Sequence, residues 1–166
     1  MRQCVFILLL FCALPAPLAW AAPAQRSFSD WQVTCNNQNF CVARNTGEHL
    51  GLVMSLSRSA GAKTDATLRI DLGGLNDPPV KEPGIAPRLL LDNVPVKLEP
   101  HRWQLTPWHL KSDDAATITA FLKNIQEGRA LTLRGGRQVI SLDGLKAALL
   151  FIDAQQKRVG SETAWI

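Results

Sequence analysis

The chain lacks the residue patterns by which metal sites, nucleophiles and phosphate-binding loops are usually recognised. None of its three histidines falls in an H-x-x-x-H or H-E-x-x-H spacing, and no G-x-S-x-G segment marks a nucleophilic serine. The pairs Gly73-Gly74 and Gly135-Gly136 do not have the spacing of a phosphate loop. Tyrosine is absent, but no function follows from that. We therefore expect neither a metal ion nor another cofactor.

The chain also lacks a strong charge imbalance. It carries 18 basic and 14 acidic residues, and removing Arg2 with an N-terminal leader would leave 17 against 14, a net charge of +3. So mild an excess gives no reason to expect nucleic-acid binding.

A hydrophobic run long enough to cross a bilayer is missing as well. The run Val5–Leu14 has about ten residues, whereas a spanning helix needs about 20. Arg2 precedes it and the A-x-A sequence Ala19-Trp20-Ala21 follows it, an order typical of a secretory signal peptide. Residues 1–21 are thus predicted to be a signal peptide cut near Ala21, with Ala24 as a second possible cut. Residues 22–166 are predicted to form a single exported domain without stable membrane insertion.

Removal of the leader reduces four cysteines to two, Cys35 and Cys41. In an oxidising compartment this close pair predicts one disulfide, with two free buried thiols as the alternative. A redox-active C-x-x-C motif is absent. The bridge would clamp a hairpin in the stretch Phe28–Arg44, in which Val33 faces Ala43 and Trp31 faces Asn45.

Alternating and apolar segments further along predict more strands, at 50–57, 67–72, 88–91, 94–98, 130–133 and 139–142. A first helix is expected to be capped by Ser112 or Asp113, to bury Ile118, Phe121, Leu122 and Ile125, and to end before Gly128. A second helix over about 143–157, with the apolar stripe Leu145, Ala148, Leu149 and Ile152, is expected to be the more buried of the two, and residues 163–166 to return as a short strand. The order predicts an α+β fold, a largely antiparallel, sandwich-like domain with two helices in its C-terminal half.

The segment His101–Leu110 is the densest remaining cluster of aromatic and titratable residues. Exposed tryptophans favour contacts with sugar rings or peptide side chains, although a tryptophan beside Pro107 more often fills the core under a loop. The candidate binding residues are His101, Arg102, Trp103, Trp108 and His109. The paired carboxylates Asp113-Asp114 are expected to cap a helix, and the arginines at 129, 134 and 137 to protect a sheet edge.

Two stretches carry a resemblance to known families. Asp30-Trp31-Gln32-Val33 with Cys35 and Cys41-Val42-Ala43 distantly resembles the bacterial invasion-associated locus B proteins. The closer likeness, which includes Ala148–Gly160, is to a periplasmic family of Gram-negative bacteria known only as a domain of unknown function. The resemblance implies an exported periplasmic domain and supplies no catalytic residues.

The missing motifs and the resemblance together favour a non-catalytic binding or interaction module. Its partner would be a periplasmic protein or an envelope polymer. The alternative is a small periplasmic hydrolase whose active site no motif marks.

Overall fold

The structure is a computed structural model that describes residues 23–47, 51–61, 65–73 and 84–166. The predicted leader, its cut near Ala21, and His49 lie outside these residues. Eleven strands, two α-helices and one short 3-10 helix (Pro100–Arg102) occur in the described part of the chain. The strands are β1 (Ala24–Phe28), β2 (Trp31–Cys35), β3 (Cys41–Asn45), β4 (Leu52–Arg58), β5 (Ala66–Leu72), β6 (Leu89–Leu91), β7 (Val94–Pro95), β8 (Gln104–Leu105), β9 (His109–Ser112), β10 (Ala130–Leu133) and β11 (Val139–Ser141). The helices are α1 (Ala115–Ile125) and α2 (Leu145–Gln155).

All strand pairings are antiparallel in the two sheets that these residues form, which confirms the predicted α+β class. The large sheet has the order β1-β2-β3-β4-β5-β9-β8, and the small sheet has the order β11-β10-β6-β7. Helix α1 packs on β5 and helix α2 on β1, β2 and β3, while β11 meets β4. One face of the large sheet is therefore covered by a second layer made of the two helices and the small sheet.

The clamped hairpin has the predicted register. Cys35 pairs with Cys41, Val33 with Ala43 and Trp31 with Asn45, and the two cysteines form a disulfide. The inward-facing residues of both strands are fully buried because side chains alternate between the faces of a strand. Trp31 also ties the two layers together, since its indole N–H donates to the carbonyl of Ser141 at 3.0 Å.

Helix α1 begins one residue later than the sequence suggests, because its cap is Asp114. The Asp114 carboxylate accepts the backbone N–H of Thr117 at 2.9 Å and also the Thr117 hydroxyl. Ser112 and Asp113, the predicted caps, are engaged elsewhere. Ser112 ends β9 and donates its hydroxyl to the Arg102 carbonyl, and Asp113 pairs with Lys111 at 2.9 Å. The apolar stripe of α1 is buried as predicted.

Helix α2 follows Gly144, whose φ of 89° and close approach to the Phe28 carbonyl leave no room for a side chain. The predicted stripe Leu145, Ala148, Leu149 and Ile152 is buried. The expectation that α2 is the more buried helix is wrong, because five of the eleven residues are buried in each helix and Leu150, Ala147 and Ala154 of α2 face solvent.

The C-terminal segment 163–166 is not a strand, contrary to expectation. Its backbone is held instead by a buried carboxylate, since Asp153 accepts the N–H groups of Trp165 at 2.8 Å and Ile166 at 3.1 Å. Trp165 is buried and its ring lies 3.7 Å from the Arg58 guanidinium. A side-chain anchor thus replaces sheet pairing at this end of the domain.

In the part of the chain that the structure describes, no helix is long and apolar enough to cross a membrane.

Candidate functional site

The five candidate residues do not form one surface. Trp103 is only 7% exposed and packs edge-on against Phe121 of α1, with ring centroids 5.4 Å apart. Trp108 is 43% exposed at the tip of the β8–β9 hairpin. The binding hypothesis required exposed tryptophans. Trp103 does not meet that condition because its ring fills the core, whereas Trp108, the tryptophan beside Pro107, is exposed.

A groove lies directly over Trp103, between residues 97–103 and helix α1. Its volume is about 370 Å³. It is lined by Lys97, Leu98, Glu99, Arg102, Trp103, Ala116, Thr117, Ala120, Phe121 and Asn124. The floor is apolar because Trp103 and Phe121 close it from below. Its wall on α1 is low because Ala116 and Ala120, one turn apart, have the smallest side chains that still favour a helix.

The charges on the rim of the groove largely cancel. The Arg102 guanidinium lies 2.8 Å from the Glu99 carboxylate and 3.4 Å from that of Asp114. The same Asp114 carboxylate accepts hydrogen bonds from Thr117, and these bonds, more than Arg102, hold its pKa below the usual 3.8. With Arg102 shared between two carboxylates, the groove offers an apolar floor and few unpaired polar groups. Such a site suits an uncharged, apolar group.

His101 lies beside the groove and does not enter it. The ring is 75% exposed and stands 3.8 Å from Glu99, too far for a hydrogen bond. A second, open cleft of about 460 Å³ contains His101 together with Ser112, Asp113 and Asp114. The Ser112 hydroxyl donates to the Arg102 carbonyl and accepts the N–H of Asp114, so it has no histidine partner. Ser112 and His101 share this cleft, but without a hydrogen bond between them they do not form a nucleophile and its base.

His109 lies on β9, away from the groove. Its Nδ1 is 3.1 Å from the Thr106 hydroxyl, which also accepts the backbone N–H groups of Trp108 and His109. Burial, followed by the charge of Arg69, lowers the pKa of His109 below 6.5. The Thr106 hydroxyl organises the hairpin turn, and His109 completes that turn.

Within residues 23–47, 51–61, 65–73 and 84–166, no three side chains of histidine, cysteine, aspartate or glutamate converge as metal ligands would. Only Arg102 and Trp103 of the groove residues are among the five candidates; the others are Lys97, Leu98 and Glu99 before them and Ala116, Thr117, Ala120, Phe121 and Asn124 on α1. The one signal in the sequence was a strip of small residues on the polar side of the helix. Nothing local showed that residues 97–103 would lie across it.

These features define a class, an α+β domain with a disulfide-clamped hairpin and an open apolar groove beside its first helix. The chain belongs to the family described as "Protein of unknown function (DUF1176)", whose model matches residues 25–166. It is 70% identical over 166 residues to the protein of Escherichia coli (strain K12) described as "Uncharacterized protein YpfG". That alignment covers 100% of this chain but 48% of the relative, so the chain spans about half the relative's length. No solved structure matches it.

Proposed function

We propose that this domain is a non-catalytic binding module of the periplasm, and that the groove over Trp103 takes an apolar side chain from an extended segment of another exported protein. The observation that carries the proposal is an open groove of about 370 Å³ whose floor is aromatic and whose rim arginine, Arg102, is already paired with carboxylates. This volume lies within the usual range for small-molecule and side-chain pockets, roughly 300–1,000 Å³.

A polypeptide fits the groove better than an envelope polysaccharide does. Sugar recognition uses the open face of an aromatic ring, but Trp103 is only 7% exposed and its ring packs against that of Phe121. Arg102 is already bound to Glu99 and Asp114, which leaves Lys97 and Asn124 as the side-chain donors for sugar hydroxyls. An aliphatic or aromatic side chain needs only the apolar floor.

The periplasmic location is part of the proposal. It is supported by the Cys35–Cys41 disulfide, by the leader-like sequence of residues 1–21, and by the resemblance of the opening hairpin to invasion-associated locus B proteins. The intact mass of the protein from the periplasm, with and without reductant, tests this part. A mass that includes residues 1–21, or two thiols that react before reduction, would refute export with a formed bridge.

Site-specific photo-crosslinking tests the binding role. A photoreactive phenylalanine analogue is placed at Asn124, an exposed residue of the groove wall, and in a control protein at Ala154 on the exposed side of α2. Illumination of intact cells should give a discrete protein adduct from position 124 and none from position 154. Identical adduct patterns, or none from position 124, would contradict a binding groove.

A further inference from the structure

Four basic residues lie in a row across one end of the small sheet. The backbone N–H of Arg134 donates to the carbonyl of Arg88 at 2.9 Å, which continues the register that pairs Leu133 with Leu89. Arg88 and Arg134 are therefore directly opposite each other. Because Leu89 and Leu133 face the core, the two arginines point to the other, solvent side of the sheet.

Lys97 and Arg137 extend this row on either side. The N–H of Val96 donates to the Leu89 carbonyl at 2.9 Å, which places Lys97 next to Arg88. Arg137 lies in the connection between β10 and β11, shortly after Arg134. All four side chains are exposed. We call Lys97, Arg88, Arg134 and Arg137 the basic row.

The basic row has no counter-charge in the described part of the protein. None of its side chains is in an ion pair or a side-chain hydrogen bond there, although seven ion pairs occur elsewhere in that part. Like charges directly opposite each other on neighbouring strands destabilise a sheet. Arg88 and Arg134 are such a pair, and an external anion between them would relieve their repulsion.

Protection of a sheet edge does not explain the row. Charges that discourage strand addition belong on edge strands, and the edges of the small sheet are β11 and β7. Arg88 and Arg134 flank β6 and β10, the two inner strands. The edge interpretation is therefore wrong for Arg134. Arg129 is not part of the row, because it precedes β10 at the opposite end, where its N–H donates to the Asp92 carboxylate.

The surroundings of the basic row indicate what kind of anion it meets. The row lies on the open face of a sheet, where Leu90, Thr132 and Val139 are half-buried. Ile85, three residues before Arg88, is 50% exposed. Several neighbouring cations, with an exposed aliphatic side chain three residues before one of them, form the combination that binds the interface of an anionic membrane.

We infer that the basic row is a docking site for a membrane surface containing anionic phospholipid. The guanidinium groups of Arg88, Arg134 and Arg137 contact lipid phosphates, and Ile85 reaches the interfacial region. Arginine suits this role because its planar fork donates two hydrogen bonds to one phosphate. The inference rests on the three arginines and not on the groove, with which the row shares only Lys97, and it would place the domain at a membrane while the groove holds its partner.

Flotation of the purified domain with lipid vesicles tests the inference. The protein should float with vesicles in which about a third of the lipid is phosphatidylglycerol, and not with pure phosphatidylcholine. Binding should be lost at about 1 M NaCl, where charges are screened within about 3 Å. Replacing Arg88, Arg134 and Arg137 by glutamine should lower the partition coefficient about a hundredfold, at about fivefold for each charge. Lys97 stays unchanged because it also lines the groove.

The matched control removes three other exposed charges, through Arg44→Gln, Lys123→Gln and Lys157→Gln. Both triple variants have the same net charge, so binding retained by the control and lost in the row variant supports a localised site. An equal loss of vesicle binding in the two triple variants would overturn the localised site, because only non-specific electrostatic attraction would then explain the binding. If millimolar inorganic phosphate displaces the protein from the vesicles, the site recognises free phosphate and the membrane assignment is wrong.

Discussion

Arg58 and Asp153 form an ion pair of 2.5 Å at which neither side chain has more than 1% of its surface exposed. Burial lowers the pKa of Arg58, and the hydrogen bond and charge of Asp153 oppose that shift. The Arg58 guanidinium also donates to Gln156 at 2.6 Å and to the Thr163 carbonyl at 3.0 Å. Through these contacts Arg58, at the end of β4, links α2 and the C-terminal segment to the large sheet.

Arg58→Met should destabilise the domain by about 3–5 kcal/mol, because it leaves the Asp153 carboxylate buried without its partner. Denaturant unfolding measures the change, with Arg44→Met on the neighbouring strand as an exposed control. The double variant Arg58→Met, Asp153→Asn should recover part of the loss, since it removes the orphaned charge but keeps an acceptor for the Trp165 N–H. A free energy of unfolding for Arg58→Met within about 1 kcal/mol of the parent value would show that the ion pair is not needed for stability.

Leu149→Asp should prevent folding. Leu149 is fully buried, and an unpaired carboxylate at that position costs several kcal/mol against a typical domain stability of about 5–15 kcal/mol. Leu150→Asp is the control, with the same substitution on the same helix at a position that is 41% exposed. Circular dichroism melting should show a cooperative transition only for Leu150→Asp. Two equally stable variants would contradict the placement of α2.

Trp103→Ala should cost about 3–5 kcal/mol because it empties a core position and exposes Phe121. Trp108→Ala, at an exposed hairpin tip, should change the free energy of unfolding by less than about 0.5 kcal/mol. The two unfolding curves should therefore separate clearly. Coincident curves would mean that Trp103 does not support the groove from below.

Acid should destabilise the domain in two steps. The folded pKa of His109 lies below 6.5, so the unfolded chain takes up that proton first and stability falls as the pH drops through 6.5. The pKa of Asp113 is lowered chiefly by Thr67 and that of Asp114 chiefly by Thr117, so their stabilisation is present above 3.8 and lost as the pH falls further.

Melting temperatures measured from pH 7 to pH 3 separate these steps. His109→Gln should flatten the upper part of the profile and Asp114→Asn the lower part. A His109→Gln profile that keeps the full slope between pH 6.5 and pH 5 would assign the upper step to other groups.

Local sequence patterns predicted the parts of this fold that depend on neighbours along the chain. The six-residue separation of Cys35 and Cys41 fixed the register of β2 and β3, and the spacing of Leu145, Ala148 and Leu149 fixed the buried face of α2. β1 was not predicted because Gln25, Arg26 and Ser27 are all polar and exposed. The pairing of β1 with β2 rests on backbone hydrogen bonds, which no side-chain pattern reveals.

Contacts between distant segments could not be read from the sequence. Arg58 and Asp153 are 95 residues apart, and each looks like an ordinary surface charge in its own segment. The groove depends in the same way on residues 97–103 crossing α1, and the basic row on β6 pairing with β10. Only the register of the small sheet shows that four unremarkable basic residues are neighbours.

The central claim is that the groove over Trp103 holds a partner, and blocking the groove tests it most directly. Ala120→Trp fills the groove from an exposed helical position and should leave the melting temperature nearly unchanged, as should Ala154→Trp on the exposed side of α2. Each substitution is combined with the photoreactive residue at Asn124, and the adduct yield in intact cells is measured. We predict that Ala120→Trp reduces the yield at least tenfold while Ala154→Trp leaves it unchanged, about 1.4 kcal/mol of difference in binding. An adduct that forms equally well in both proteins would contradict the claim.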